Sequence, residues 1–189
     1  MLHLQEEHVF CRLRMIQAKQ KNFLKLYEPV HDKFERFCRA RVYGEMDYRD
    51  LINETLIVAF EKFETLKSTD VFLSFLFGIS IRLLSNQKRK KKEKRFENED
   101  KIKLIQDHNT NPQEEADVHF LYKALAQLSE EQRDCIILFE LIGFPIKAIM
   151  EIQSASESAI KQRLKRGREK LTVLLTYESN TKTGEVNHG

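Results

Sequence analysis

Apolar residues recur along this chain at spacings of three and four, the mark of helices that bury one face. Val9, Leu13 and Ile16 start such a pattern within residues 1 to 20, without a strong cap. Phe23, Leu26, Tyr27, Val30, Phe34, Phe37, Cys38 and Val42 carry it through a helix expected from Phe23 to Arg41, with Pro29 near its start and Gly44 as its stop. Asp47 or Asp50 can cap the next helix, whose buried face would be Leu51, Ile52, Thr55, Leu56, Ala59, Phe60 and Phe63. Lys67 to Asp70 reads as a loop, and Ser68 or Asp70 can cap a helix from Val71 to Asn86 that is apolar nearly all round at first. Phe72, Phe75, Leu76, Ile79 and Leu83 are its core candidates, whereas Phe77 and Arg82 are expected to stay accessible.

After a polar stretch from Phe96 to Glu115 that reads as a mobile linker, helical pattern returns between Gln113 and Gln127. Ser129, Glu130, Glu131 and Gln132 have the form of a capping box, so a helix is expected to begin at Ser129. It continues through Cys135, Ile136, Leu138 and Phe139 until Gly143 and Pro145 end it. Pro145 opens a shorter helix with Ile146, Ile149, Met150 and Ile152 as its packed stripe, and Ser156 is placed to cap a third. In that third helix Ala159, Ile160, Leu164, Gly167, Leu171 and Leu174 pack, while Ser158, Lys161, Gln162, Lys165, Arg166, Glu169 and Lys170 point elsewhere. Between Glu157 and Leu171 stand six Lys or Arg against two Glu. A short helix, a tight turn and a cationic helix form the geometry that sets side chains into a DNA major groove and cations on flanking phosphates. The plainer alternative is a solvated surface helix.

Composition sharpens this picture. With 32 Lys or Arg against 29 Asp or Glu the net charge is only +3, so a nucleic-acid surface has to come from clustering. Besides the cationic helix there is Lys88 to Arg95, seven cations and one acid, a run that repels itself unless phosphates neutralise it. Six Gly and three Pro are few for an all-β chain of 189 residues. The expected fold class is all-α: two small helical domains joined by a flexible linker, the second a helix-turn-helix. Its parts are an N-terminal extension (1–22), a first domain (23–95), a linker (96–112), a second domain (113–175) and a polar tail (176–189). Cys11, Cys38 and Cys135 form no CxxC and cannot all pair, which suits a reducing cytoplasm, with Cys38 and Cys135 expected as buried thiols on apolar helical faces. The histidines show no ligand spacing, so neither metal nor cofactor is expected. The apolar run Val71 to Ile81 is broken by Ser74, Gly78 and Ser80 and is too short to span a membrane, and the start is too polar for a signal peptide.

The motifs also carry a family resemblance. Leu128-Ser-Glu-Glu-Gln-Arg133, Ile149-Met-Glu-Ile152 and Ser156-Glu-Ser-Ala-Ile-Lys-Gln-Arg-Leu-Lys-Arg-Gly-Arg-Glu-Lys-Leu171 together resemble the C-terminal promoter-binding domain of extracytoplasmic-function sigma factors, small bacterial initiation factors. Ser129 stands where that family usually has proline, and Ser154 where glycine is usual in the turn, a position whose left-handed backbone costs another residue about 1 kcal/mol. Asp50-Leu-Ile-Asn-Glu-Thr-Leu-Ile-Val-Ala-Phe60 is similar to the family's second-region signature, with Asn53 in place of glutamine. Val71 to Asn86 resembles the segment that recognises and melts the −10 element.

The resemblance implies core RNA polymerase, through its β′ clamp helices and β flap, as partner, with promoter DNA as the ligand and an anti-sigma factor as a candidate regulator. It implies polymerase docking by Asp50, Asn53 and Glu54. It implies −10 contacts from Lys67, Ser68, Thr69, Asp70, Phe77, Arg82, Asn86, Lys88, Arg89 and Lys90. For the −35 element it implies Ser156, Ser158, Lys161, Gln162, Arg163, Lys165, Arg166 and Arg168, with Arg163, Arg166 and Arg168 on phosphates and Lys161, Gln162 and Lys165 among the base readers. Two rivals remain. An ordinary helix-turn-helix regulator leaves the Asp50-Asn53-Glu54 patch and the basic run unexplained, and a nucleic-acid enzyme with a metal on Asp47, Asp50 and Glu54 lacks a partnered histidine or further acids.

Overall fold

The computed structural model describes the backbone of residues 2–66, 68–95 and 112–184 and the side chains of 13–66, 68–91 and 117–176. Helix α1 (Leu2–Tyr27) stops before Pro29, which has no N–H to donate and whose ring collides with the carbonyl four residues back. A 3-10 turn, Glu28–Val30, follows, and α2 (His31–Val42) starts afresh. The single helix expected from Phe23 to Arg41 is therefore two. Phe23 belongs to α1, where its ring meets those of Phe60, Phe63 and Phe72 edge-on at 5.4 to 5.5 Å. Gly44, at φ 72°, turns the chain after α2. Asp47 then caps α3 (Tyr48–Glu61) by accepting the Arg49 N–H at 2.9 Å. Ser68 caps a 3-10 turn, Thr69–Val71, that runs into α4 (Phe72–Arg95).

The second half starts earlier and ends later than its composition suggests. Helix α5 (Pro112–Ala126) already contains the last residues of the expected linker, with Pro112 in the first helical position where its missing N–H costs nothing. The remainder of that linker, 96–111, lies outside the described residues. Ser129 caps α6 (Glu130–Ile136), and the chain widens into a π turn, Ile137–Leu141, instead of continuing as α-helix to Gly143. There the Ile142 N–H reaches the Ile137 carbonyl at 3.1 Å and the Phe144 N–H that of Leu138 at 2.8 Å. Helix α7 (Ile146–Gln153) and helix α8 (Glu157–Gly184) complete the fold. Thus 176–184, expected to belong to a polar tail, prolong α8, because no Gly or Pro stands between Gly167 and Gly184. Residues 185–189 lie outside the described residues. Among the described residues every regular element is helical, so the all-α class holds.

Helix α4 has two buried faces. Phe72, Leu76 and Ile79 form the expected one. Leu73, Phe77, Ser80 and Leu84 form the other, spaced by three and four. Phe77 is therefore a core residue and not an accessible one: its ring lies 4.6 Å from Phe37, 6.0 Å from Phe34 and 5.2 Å from Phe144 of the second half. By length and composition alone Thr69–Lys91 could cross a bilayer, contrary to the expectation from its polar interruptions. The burial of these side chains marks it as a core helix.

The two halves share one continuous core and a set of charges between them. Arg41 of α2, only 1% exposed, donates through Nε to Asp134 of α6, and its Nη2 lies 3.6 Å from Glu130. Arg133 donates to the Arg41 carbonyl at 3.0 Å, to Glu45 at 2.6 Å and to the Ala126 carbonyl at 2.5 Å. Lys88 pairs with Glu130 and lies 3.5 Å from Glu45. Three cations thus balance three acids. Burial pushes the Asp134 carboxyl up to about 6 although Arg41 opposes it. Burial also acts to raise Glu45, but the hydrogen bond and charge of Arg133, with Lys88 and Arg41, outweigh it and hold Glu45 below the ordinary range.

Asp134 provides the test. A carboxyl whose folded pKa is raised contributes stability at low pH that is lost as pH rises through the folded value. In Asp134→Asn the amide mimics the protonated acid and cannot ionise, while Glu45 titrates equally in both proteins and cancels. Relative to wild type, the variant should therefore gain stability as pH rises from about 4 to about 6 and stay level above that. Urea midpoints across this range decide it. If pairing with Arg41 dominated over burial, the folded pKa would lie below the ordinary value, and the difference would stay nearly level from about 4 to about 6, with the variant losing relative stability only as pH rises toward about 4.

Candidate nucleic-acid interface

Helix α8 is set by the turn before it. Ser154 has φ 49° and ψ 47°, the left-handed conformation its place in the turn requires. The Ala155 N–H bonds the Met150 carbonyl at 3.0 Å, closing α7. Ser156 then accepts the Ala159 N–H at 3.3 Å and opens α8. Ile160, Leu164, Gly167 and Leu171 are buried along one stripe. Gly167 is there because a Cβ would come within 2.8 Å of Ile136 Cγ1. On the opposite side Ser158, Gln162, Lys165 and Arg166 are all exposed.

The cations of this helix fall into distinct groups. Among the described residues Gln162 and Arg166 bond no other side chain, and Lys165 lies only loosely, at 4.0 Å, from Glu169. Lys161 pairs with Glu157 at 2.7 Å, and that hydrogen bond and charge lower the Glu157 pKa. Two arginines expected on phosphates have partners within the protein. Arg168 donates twice to Glu140, at 2.7 and 2.6 Å, and stacks over Phe139. Arg163 is half-buried and donates to Gln153 at 2.6 Å. Neither engagement was visible in sequence, because Glu140 and Gln153 lie on other elements.

On the first half, Asp50, Asn53 and Glu54 share one exposed face of α3, where Glu54 accepts from Gln87 of α4 at 2.9 Å. Ile57, 61% exposed, extends that face by one turn and was missed, although its omission from the apolar stripe was a signal. Among the described residues no group of three or more His, Cys, Asp or Glu is placed to hold a metal. Asp47, one of the acids such a site would use, serves as a helix cap.

Of the expected −10 residues, Lys67 lies outside the described residues. Ser68, Thr69 and Asp70 are exposed on the turn before α4. Arg82, Asn86, Arg89 and Lys90 are exposed at helical spacing along one face of α4. Phe77 and Lys88 do not join them: the first is in the core, the second in the charge cluster between the halves.

Comparison with known proteins supplies the family context. Residues 121–171 match the family model described as Sigma-70, region 4. The chain is 24% identical over 145 residues to the RNA polymerase sigma factor SigV of Bacillus subtilis (strain 168), covering 77% of this chain and 86% of that protein. Its structure matches that of the sigma factor RpoE, solved in complex with the anti-sigma factor NepR from Bartonella quintana, with a TM-score of 0.74 and 26% identity over 82% of this chain and 98% of the other. The fold is also that of CnrH, solved with the cytosolic domain of CnrY, with a TM-score of 0.64 and 18% identity over 87% and 94% of the two chains.

The seat of α8 on α6 can be probed at its tightest point. Gly167→Ala gains helix propensity of about 1 kcal/mol, but its methyl group must displace the buried Ile136. Overpacking of this kind costs about 1 to 3 kcal/mol, so a net loss of stability is expected in urea unfolding. A more stable variant would show that the contact yields freely.

Proposed function

We propose that this chain, an extracytoplasmic-function sigma factor of the sigma-70 family, uses two opposite kinds of surface to join core RNA polymerase to a promoter. The observation that carries the reading is the division of α8 into a packed stripe and an outward row of Ser158, Gln162, Lys165 and Arg166. Such a row offers hydrogen-bonding groups to base edges in a major groove, with Lys161 beside it for phosphate. We assign 113–175 to −35 recognition and 23–95 to polymerase docking and the −10 element.

On this reading Asp50, Asn53 and Glu54, with Ile57 as their apolar neighbour, form the polymerase face. The acids provide charge for basic residues of the partner, and the isoleucine provides area that binding can remove from water. The row Arg82, Asn86, Arg89 and Lys90, beside Ser68, Thr69 and Asp70, takes the −10 strand. Lys88 can join it only when its pair with Glu130 breaks. The protein acts by binding and catalyses no reaction of its own, and its place of work is the cytoplasm, with the polymerase. An anti-sigma factor is the regulator its structural relatives suggest.

Two measurements test the assignment. Asp50→Lys with Glu54→Lys should abolish co-purification with core polymerase while leaving helicity unchanged, since both side chains are exposed; intact binding would sink the docking face. Gln162→Ala or Arg166→Ala, in holoenzyme on a −35 library, should relax preference at one position at a cost of about 1 to 3 kcal/mol. If neither altered affinity or preference, the outward row would be plain solvated surface.

A further inference from the structure

Gln153, the last residue of α7, joins its own helix to two others with one amide. Its Oε1 accepts from the Cys135 thiol at 3.1 Å and from Arg163 Nη1 at 2.6 Å, and its Nε2 donates to the Glu131 carbonyl at 3.2 Å. Cys135 and Glu131 are on α6, Arg163 on α8. Both acceptor positions of the amide oxygen are thereby taken, leaving it no free acceptor for a base. Burial pushes the Cys135 thiol up to about 11, so the S–H that donates to Gln153 stays protonated at neutral pH. Arg163 and Gly167 stand four residues apart on the same side of α8, so the bond to Gln153 and the contact with Ile136 hold that helix against α6 at successive turns.

Rotation of α8 about its axis decides which side chains meet the groove, because a base contact tolerates little displacement. Building on the −35 reading proposed above, we infer that Gln153 and Arg163 are positioning residues that lock the rotation of the recognition helix, and that Arg163 is not a phosphate contact. The guanidinium acts through the amide, the amide through α6, and the outward row of Ser158, Gln162, Lys165 and Arg166 is the part whose aim they set.

The two roles for Arg163 separate in salt titration. A lost phosphate contact lowers the salt slope by about one unit and weakens all sequences alike, whereas a loosened helix lowers discrimination with the slope unchanged. The experiment uses the full chain assembled with core polymerase, on a promoter set varied only at −35, at several salt concentrations. Gln153→Leu and Arg163→Met should each reduce discrimination between the best sequence and single-base variants by about tenfold at constant slope. The double variant should be no worse than either single one, since both break the same link. Arg163→Met with a slope lower by about one unit and intact discrimination would overturn the inference, as would wild-type discrimination in Gln153→Leu. Should the apolar variants lose helicity, Arg163→Lys, which keeps the charge but loses the planar fork, is read instead: reduced discrimination supports the lock and unchanged discrimination refutes it. Wild-type holoenzyme without −35 preference would sink the underlying reading and the inference with it, whereas wild-type preference beside equally selective variants removes the lock alone.

Discussion

Arg41 lies wholly inside the protein, and a guanidinium removed from water must find acceptors or unfold what surrounds it. Those acceptors are on the other half of the chain. Asp134 and Glu130 both come from α6, so α2 and α6 have to lie side by side, and the Arg41 carbonyl is then within reach of Arg133. Arg133 in turn needs Glu45, just past α2, and the end of α5 at Ala126. One buried charge therefore sets the relation of the helices that meet where the halves join. Apolar contacts alone, such as that of Phe77 with Phe144, would tolerate some sliding; ion pairs with defined donors and acceptors tolerate less. The arrangement is not free of cost. Among the described residues Arg41 Nη1 and Arg133 Nε are buried without a hydrogen-bond partner, so desolvation is only partly offset.

How far this was legible in the sequence depends on whether the cause was local. Ser129 and Ser156 cap helices as expected, and of the alternatives left open Asp47 caps α3 and Ser68 the 3-10 turn before α4, because a cap needs only a side-chain oxygen and an N–H two or three residues on. The break at Pro29 is also local, yet the apolar pattern runs through it from Phe23 to Val42 and hides it. The second buried face of α4 was not local at all: Phe77 looked spare because one face satisfies a helix at a surface, and α4 packs on both sides. One trace of the interface was nevertheless present. Phe34, Phe37, Cys38 and Arg41 are spaced by three, one and three residues on a single stripe, so an arginine stood where the core pattern called for an apolar residue.

The same division applies to the site. Exposure of Ser158, Gln162, Lys165 and Arg166 followed from α8's own period, and so did the α3 face of Asp50, Asn53 and Glu54. Which cations remain available did not follow, since charge counts cannot distinguish Arg166, which bonds no side chain among the described residues, from Arg168, held by Glu140. A count of six basic residues does not show that three of them are bonded within the fold. Arg163 and Arg168 are used within the fold, and Lys170 donates to the Gln127 carbonyl at 2.6 Å.

The charges between the halves also bear on how readily the halves can part. An apolar interface loses stability in proportion to the area it exposes, with no compensation from the groups uncovered. A charged interface recovers solvation as it opens, because Arg41, Arg133, Lys88, Glu45, Glu130 and Asp134 regain water when they lose one another. The outward row of α8 and the acidic face of α3 are exposed, whereas Lys88 is tied to Glu130 across the joint. Lys88 is already engaged by Glu130 and Glu45, so any further anion at its ammonium group has to compete with those two acids, whereas the exposed groups of α8 and α3 face no such competition.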